Sequence, residues 1–213
     1  MISPRAAGGV RLVLASASPA RLALLRRAGL KPEVIVSHVD ESRATEPAPS
    51  ALASRLAELK AEAVFVLLPP DGDLIVVGCD SVLAFEGRPL GKPGSAEAVV
   101  ALWQRTRGRT AGLVTGHHVI VHDAQGTRRA NRVARTVVHF ADLSDDEIRA
   151  YAATGEPERV AGGFTIDGLG GPFITRLEGD PHNVVGLSLP LLRMMLADLG
   201  WRWTDLWERG GAG

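Results

Sequence analysis

The sequence predicts an α/β fold built on a mixed sheet and divided into two lobes. Three observations predict it. Helical and strand-like patterns alternate along the 213 residues. Two long strand patterns, around 113–121 and 132–140, are joined by a short turn at Asp123–Gly126, so part of the sheet is antiparallel. Residues 74–78 form a continuous apolar run, the mark of a strand covered on both faces. No repeat or low-complexity linker divides the chain, so 1–213 reads as one domain with terminal extensions at 1–9 and 201–213.

The elements follow in order. Residues 10–15 read as a short buried strand. Ser18 suits a helix N-cap and Pro19 the first helical position, with Leu22, Leu25 and Ala28 as the apolar stripe. Gly29 ends that helix and Pro32 keeps it ended. A second strand is expected at 33–36, then a polar loop at 37–46. Pro47 and Pro49 precede a helix whose stripe is Leu52, Leu56, Leu59, Ala63 and Val66. The turn Pro69-Pro70-Asp71-Gly72 leads into the strand at 74–78, and Asp80 falls just past its end. Residues 82–85 and 88–90 read as a hairpin about Glu86-Gly87. Ser95 caps a helix with Val99, Leu102 and Trp103 inward, and Gly108 stops it. After the long hairpin, Ser144 and Glu147 have capping-box spacing, and Gly155 closes that helix beyond Tyr151. A glycine-rich run at 161–171 precedes a strand at 172–177. A last helix at 190–199 leads to a tail bearing Trp201, Trp203 and Trp207, read as packing or interface residues.

Composition narrows the function classes. The formal net charge is zero, which argues against broad electrostatic binding of nucleic acid or an acidic membrane. Cys79 is the only cysteine, so there is no intrachain disulfide and no cysteine-rich zinc site, and a reducing cytoplasm is the expected setting. No segment approaches the roughly 20 apolar residues of a membrane span, and the apolar stretch at 10–15 is too short for a signal-peptide core.

Three motifs carry candidate chemistry. In Ser16-Ala17-Ser18-Pro19-Ala20-Arg21 a strand runs into a capped helix start, which gathers free backbone N–H groups and the positive dipole end at one point. Arg21 opposes that dipole unless an anion binds; the same residues also make an ordinary capped helix with a solvated arginine. In Gly78-Cys79-Asp80-Ser81 a carboxylate follows a buried strand, where open α/β sheets place reactive groups. Asp80 there is either a cation ligand or proton acceptor, or a turn aspartate, and Cys79 reads as packing. Leu90-Gly91-Lys92-Pro93 is not a Walker motif, since Gly87 is one residue too close and Pro93 stands where Ser or Thr should be. Lys92 remains a candidate phosphate contact beside the plainer reading of a loop lysine, and Lys60 reads by default as part of a solvated helix face. His117 and His118 are adjacent on a strand and face opposite ways, while His118 and His122 lie about 13 Å apart, so the histidines read as structural rather than metal-binding.

Together these residues resemble the Maf family of nucleoside triphosphate pyrophosphatases over roughly 10–200. The landmarks are Leu14-Ala15-Ser16-Ala17-Ser18-Pro19, Val39-Asp40-Glu41, Asp80-Ser81, Leu90-Gly91-Lys92-Pro93, Thr115-Gly116, Leu143-Ser144-Asp145, Gly155-Glu156-Pro157, Ala161-Gly162-Gly163-Phe164 and the run from Asn183 to Pro190. Each is short; their order and spacing are specific. The resemblance implies a two-lobed α/β/α catalytic domain with a cleft between the lobes, homodimeric, acting on a nucleoside triphosphate. It implies Asp80 as proton acceptor with Lys60 and Lys92 as catalytic cations. Glu41 and Asp80 would hold a divalent cation such as Mg²⁺ or Mn²⁺, and Ser16, Ser18, Arg21, Ser81 and Asp167 would bind substrate. Water would attack the α-phosphorus and pyrophosphate would leave. The implied roles are clearing non-standard nucleotides and a link to cell-division arrest; the alternative is a nucleotide-binding regulator of cell division with little turnover.

The sequence departs from the family pattern at three places linked to base selectivity. Ala20 replaces the first arginine of Ser-Pro-Arg-Arg, Cys79-Asp80-Ser81 stands for Ala-Asp-Thr, and Asp167 in Phe164-Thr165-Ile166-Asp167-Gly168 stands where pyrimidine-specific members carry Gln. The preferred base therefore does not carry over.

Overall fold

A computed structural model describes residues 9–69 and 71–207. Of the expected extensions at 1–9 and 201–213, residues 1–8 and 208–213 lie outside the described residues, as does Pro70 in its turn. Among the described residues one mixed sheet runs in the order β2 (Glu33–Val34), β1 (Arg11–Leu14), β3 (Leu74–Phe85), β5 (Thr110–Asp123), β6 (Gly126–Phe140), β7 (Ile174–Glu178), with β4 (Arg88–Leu90) paired to the far end of β3. β2, β1 and β3 are parallel; every pairing beyond is antiparallel.

Alternate residues of the strands feed opposite faces. Leu12, Leu14, Ile75, Val77, Val119 and Val121 meet α1 (Pro19–Arg27) and α6 (Leu189–Asp198). Val13, Ala15, Leu74, Val76 and Ile120 meet α2 (Pro49–Phe65) on the other side. A second lobe gathers around Trp103 of α3 (Ala96–Thr106), whose ring makes edge contacts with Phe140, Tyr151 and Phe173. Tyr151 belongs to α4 (Asp145–Ala153), and a short α5 (Pro181–Val185) bridges back to the first lobe. No helix among the described residues is long and apolar enough to cross a membrane.

The caps stand as expected. Ser18, Ser95 and Ser144 each accept from a backbone N–H of their helix, and the Ser144–Glu147 box is complete. Glu86 and Gly87 both take the positive φ that their hairpin requires. The tail residues Trp201 and Trp203 pack on the first core, and Trp207 donates to the Ala28 carbonyl.

Four expectations are corrected. β3 does not stop near Gly78 but runs twelve residues to Phe85, so Asp80 lies inside a strand. The polar stretch hides the strand in the sequence; antiparallel pairing with β5 carries it through, Asp80 opposite Gly116 and Ser81 opposite Thr115. The α2 stripe is Ala53, Leu56, Ala57, Ala61 and Val64, while Val66 is 74% exposed. The sheet beneath has Gly78 and Gly116, where a Cβ would run into the carbonyl oxygens of Ala57 and Ala53, so the helix sits too close for larger residues. In α1 the buried face includes Leu24, with Leu22 and Ala28 only partly covered. β2 pairs over two residues rather than four, and α5 was not anticipated.

Candidate active site

The sheet has a gap along one edge of β3. The β1 ladder ends at Leu14 opposite Val77, and the β4 ladder begins at Leu90 opposite Leu83. Between them, residues 78–82 of β3 pair only with β5 among the described residues, leaving backbone groups that a ligand can approach. Four segments converge on this notch: the β1–α1 junction, the turn carrying Glu41, the middle of α2, and the strap after β4.

On the α2 side, the Lys60 ammonium is shared by two carboxylates. It lies 2.7 Å from Glu41 and in a shorter contact with Asp80. The Lys60 and Asp80 side chains are 12% and 14% exposed, so the pair is largely shielded. The close seating of α2 on Gly78 and Gly116 brings Lys60 down to the strand. Glu41 is presented by a 3₁₀ turn that Asp40 caps, accepting from the Ser42 N–H at 3.1 Å and the Ser42 hydroxyl at 2.6 Å. Partial burial pushes the Glu41 carboxyl up, but hydrogen bonding and charge from Lys60, with the fields of Lys92 and Arg21, hold it below its ordinary value. That field also locates Lys92 and Arg21 in the electrostatic neighbourhood of Glu41.

On the α1 side, Arg21 is only 8% exposed and turns inward beneath its helix. It donates to the Gly186 carbonyl at 2.6 Å, to Ser16 Oγ at 3.1 Å and to Ser81 Oγ at 3.0 Å. All three of these acceptors are neutral, so a buried guanidinium lies beside the N-terminus of α1 without a carboxylate among its three hydrogen-bond partners. Arg21 is therefore neither solvated nor projecting from the helix surface. Ser16 Oγ also accepts from the Ser18 N–H, and Ser18 Oγ from the Arg21 N–H, so both serines shape the junction. Asp80 and Ser81, consecutive in β3, face opposite sides of the sheet. The notch thus has an acidic–lysine wall and an arginine–serine wall, with the free strand edge between.

Lys92 is exposed, on a strap pinned at both ends: Gly91 accepts from the Gly162 N–H at 3.2 Å and Gly94 donates to the Glu158 carbonyl at 3.0 Å. Cys79 is buried, which pushes its thiol up to about 12 and makes it a packing residue. Asp167 is exposed on a loop of the second lobe. Glu156 organises that loop, accepting from Tyr151, Thr165 and the N–H groups of Leu169 and Gly170. A separate hollow of about 300 Å³ near Ser50, Gly112 and Arg135 holds none of the notch residues.

The expected divalent cation can be tested on the donors. Glu41 and Asp80 already share one cationic group, and their oxygens are hard ligands that suit Mg²⁺ or Mn²⁺. No cluster of three or more acidic, histidine or cysteine ligands exists among the described residues. The pair fits an open site completed by phosphate oxygens and water, not an all-protein cage.

Sequence reasoning missed several participants. Thr115 Oγ1 lies 2.9 Å from Ser81 Oγ and donates to the Asn183 carbonyl, while Gly186 receives Arg21. Their one signal was membership in landmark runs, without any hint of what they touch.

The Maf-like protein family model matches residues 11–199. Proteins described as nucleoside triphosphate pyrophosphatase are similar over most of their length. That of Salinispora tropica is 55% identical, covering 94% of this chain and 89% of the relative. Those of Streptomyces coelicolor and Cutibacterium acnes are 55% and 53% identical, covering 92% and 93% of this chain and 94% and 96% of theirs. Among solved structures, the Staphylococcus aureus Ham1 protein aligns with a TM-score of 0.39 at 19% identity, over 62% of this chain and 72% of that one, too loosely to bear on the site. With the family pattern spanning the strands and helices that build the notch, this chain belongs to the Maf-like protein family.

Proposed function

We propose that this chain hydrolyses nucleoside triphosphates to the monophosphate and pyrophosphate at the β3 notch. The observation that carries the reading is Lys60 held between Glu41 and Asp80 on one wall of the notch, with the buried Arg21 on the other. The names of the family relatives support the same activity. Arg21, Lys60 and Lys92 offset the charge of a triphosphate, and the positive dipole end of α1 at the Ser16–Ser18 junction favours phosphate oxygens. Asp80 sets its carboxylate against the Lys60 ammonium at the strand edge, and a carboxylate placed there is the kind of group that serves as a general base. Water attacks the α-phosphorus and gives its proton to Asp80. The bond from that phosphorus to the bridging oxygen breaks, and pyrophosphate departs with the electron pair. A divalent cation held by Glu41 and Asp80 would supply further neutralisation of the phosphates. The same proposal includes a homodimer in the cytoplasm, and a sedimentation mass of a single chain would remove the dimer.

The experiment is hydrolysis of a panel of standard and modified triphosphates in ¹⁸O water with Mg²⁺ or Mn²⁺, followed by ³¹P NMR. Pyrophosphate and a monophosphate carrying the label are expected. Diphosphate with orthophosphate as first products would overturn the assignment, and tight binding without product would leave a regulator.

A further inference from the structure

His117 lies in β5, fully buried, two residues from Thr115 and on the same face. Its Nε2 is 2.8 Å from the Ser188 amide nitrogen, and its Nδ1 is 3.0 Å from the Thr115 carbonyl oxygen. An amide N–H only donates, so Nε2 is the unprotonated nitrogen and Nδ1–H donates to Thr115. Burial, helped by the nearby charge of Arg21, pushes protonation of the ring down to about 4. The ring is neutral in one tautomer at ordinary pH.

That hydrogen bond anchors a turn which holds Arg21. Ser188 is two residues beyond Gly186, whose carbonyl receives the Arg21 Nε–H at 2.6 Å. On the other side of Gly186, Thr115 Oγ1 donates to the Asn183 carbonyl at 3.2 Å, and Asn183 Nδ2 donates to the Leu113 carbonyl at 3.1 Å. β5 therefore grips the turn on both sides of the one carbonyl that orients the arginine. Gly186 has a φ of 127°, and a Cβ there would sit 3.1 Å from Arg21 Nε, so this position has little room for a side chain. Of the five guanidinium hydrogens, those engaged with Gly186, Ser16 and Ser81 leave Nη hydrogens for an anion.

We propose that His117 is a positioning residue for the triphosphate site, holding the Ser188 amide so that the Gly186 carbonyl aims Arg21 at phosphate. It rests on the pyrophosphatase reading for the identity of the substrate, but anion binding can be measured without turnover.

The test uses the full chain, with inorganic tripolyphosphate as the calorimetric probe and kcat and KM measured on a hydrolysed triphosphate. His117→Phe removes the acceptor and keeps a ring; His117→Gln returns an acceptor oxygen near Nε2. The Phe variant should weaken tripolyphosphate binding and raise KM by about 10-fold, with kcat within about threefold of the parent. The Gln variant should recover most of the loss. In an Arg21→Met background the Phe substitution should add less than about twofold, because the two residues act as one unit. Independent losses in both backgrounds, or lower kcat with unchanged anion affinity, would overturn the proposal. Should His117→Phe not fold, ¹⁵N NMR of the parent decides. A protonated Nε2 at neutral pH, or an Arg21 Nε–H exchanging as fast as exposed arginines, would sink the proposal. A parent that binds tripolyphosphate with this coupling but releases no pyrophosphate would defeat the pyrophosphatase reading alone.

Discussion

Asp80 shares the Lys60 ammonium with Glu41, so its loss leaves that lysine one carboxylate partner. Asp80→Asn keeps shape while removing a base and much of any metal affinity. Turnover should fall by about 100-fold or more with the thermal midpoint little changed. Near-normal kcat in a folded variant would shift the role to Glu41. Asp167 poses a different question. A carboxylate only accepts, whereas the glutamine of pyrimidine-specific members both donates and accepts, so uracil and thymine carbonyls should be disfavoured. Competition among UTP, CTP, GTP and a methylated guanosine triphosphate, in the parent and in Asp167→Gln, checks this. A strong parental preference for UTP, or an unchanged ranking in the variant, would free Asp167 of base reading. His117 sets an acid limb in stability. Its ordinary value is 6.5 and its folded value about 4, so between these the unfolded chain takes up a proton that the native protein refuses. The native state therefore loses stability as pH falls across that window, by about 1.4 kcal/mol per pH unit at the steepest, and the loss levels off below it. Urea unfolding from pH 7 to 4.5 should show a shallower fall in His117→Gln; parallel curves would contradict this.

Among the elements, α2 decides whether Lys60 reaches Asp80. The helix is seated on Gly78 and Gly116 through Ala53, Ala57 and Ala61. Gly116→Ala would drive a methyl into the Ala53 carbonyl, lift the helix and pull the ammonium from the strand. The expected cost is about 1–3 kcal/mol of stability with a loss of turnover, measured by denaturation and steady-state kinetics. Unchanged values for both would mean that the helix can slide without consequence. This docking was illegible in the sequence because alanine is a weak apolar signal and the matching glycines lie in distant strands. The stripe of leucines looked stronger, yet Val66 at its end is mostly exposed. The caps were legible because each acts within four residues: Ser18, Ser95 and Ser144 satisfy their own helix starts.

Across the whole molecule, β3 and β5 run through both lobes, feeding Ile75, Val77, Val119 and Val121 to one core and Leu83, Phe85, Ala111 and Leu113 to the other. Neither lobe can open without breaking ladders that the other needs, so unfolding should be one transition. Trp201 reports the first core and Trp103 the second. Single-tryptophan variants retaining one or the other should give coincident midpoints with far-UV circular dichroism, and two separated midpoints would divide the molecule into independent units. At this scale the sequence by itself determined the kinds of element, most helix starts and stops, and the family pattern, because capping, turn chemistry and hydrophobic period are set by neighbours along the chain. Only the tertiary structure decided that β3 continues through Asp80, that Lys60 joins Glu41 to it, and that Arg21 turns inward to a carbonyl 165 residues away. Those contacts depend on strand register and on how closely a helix approaches the sheet, and both are fixed by packing between segments far apart in sequence.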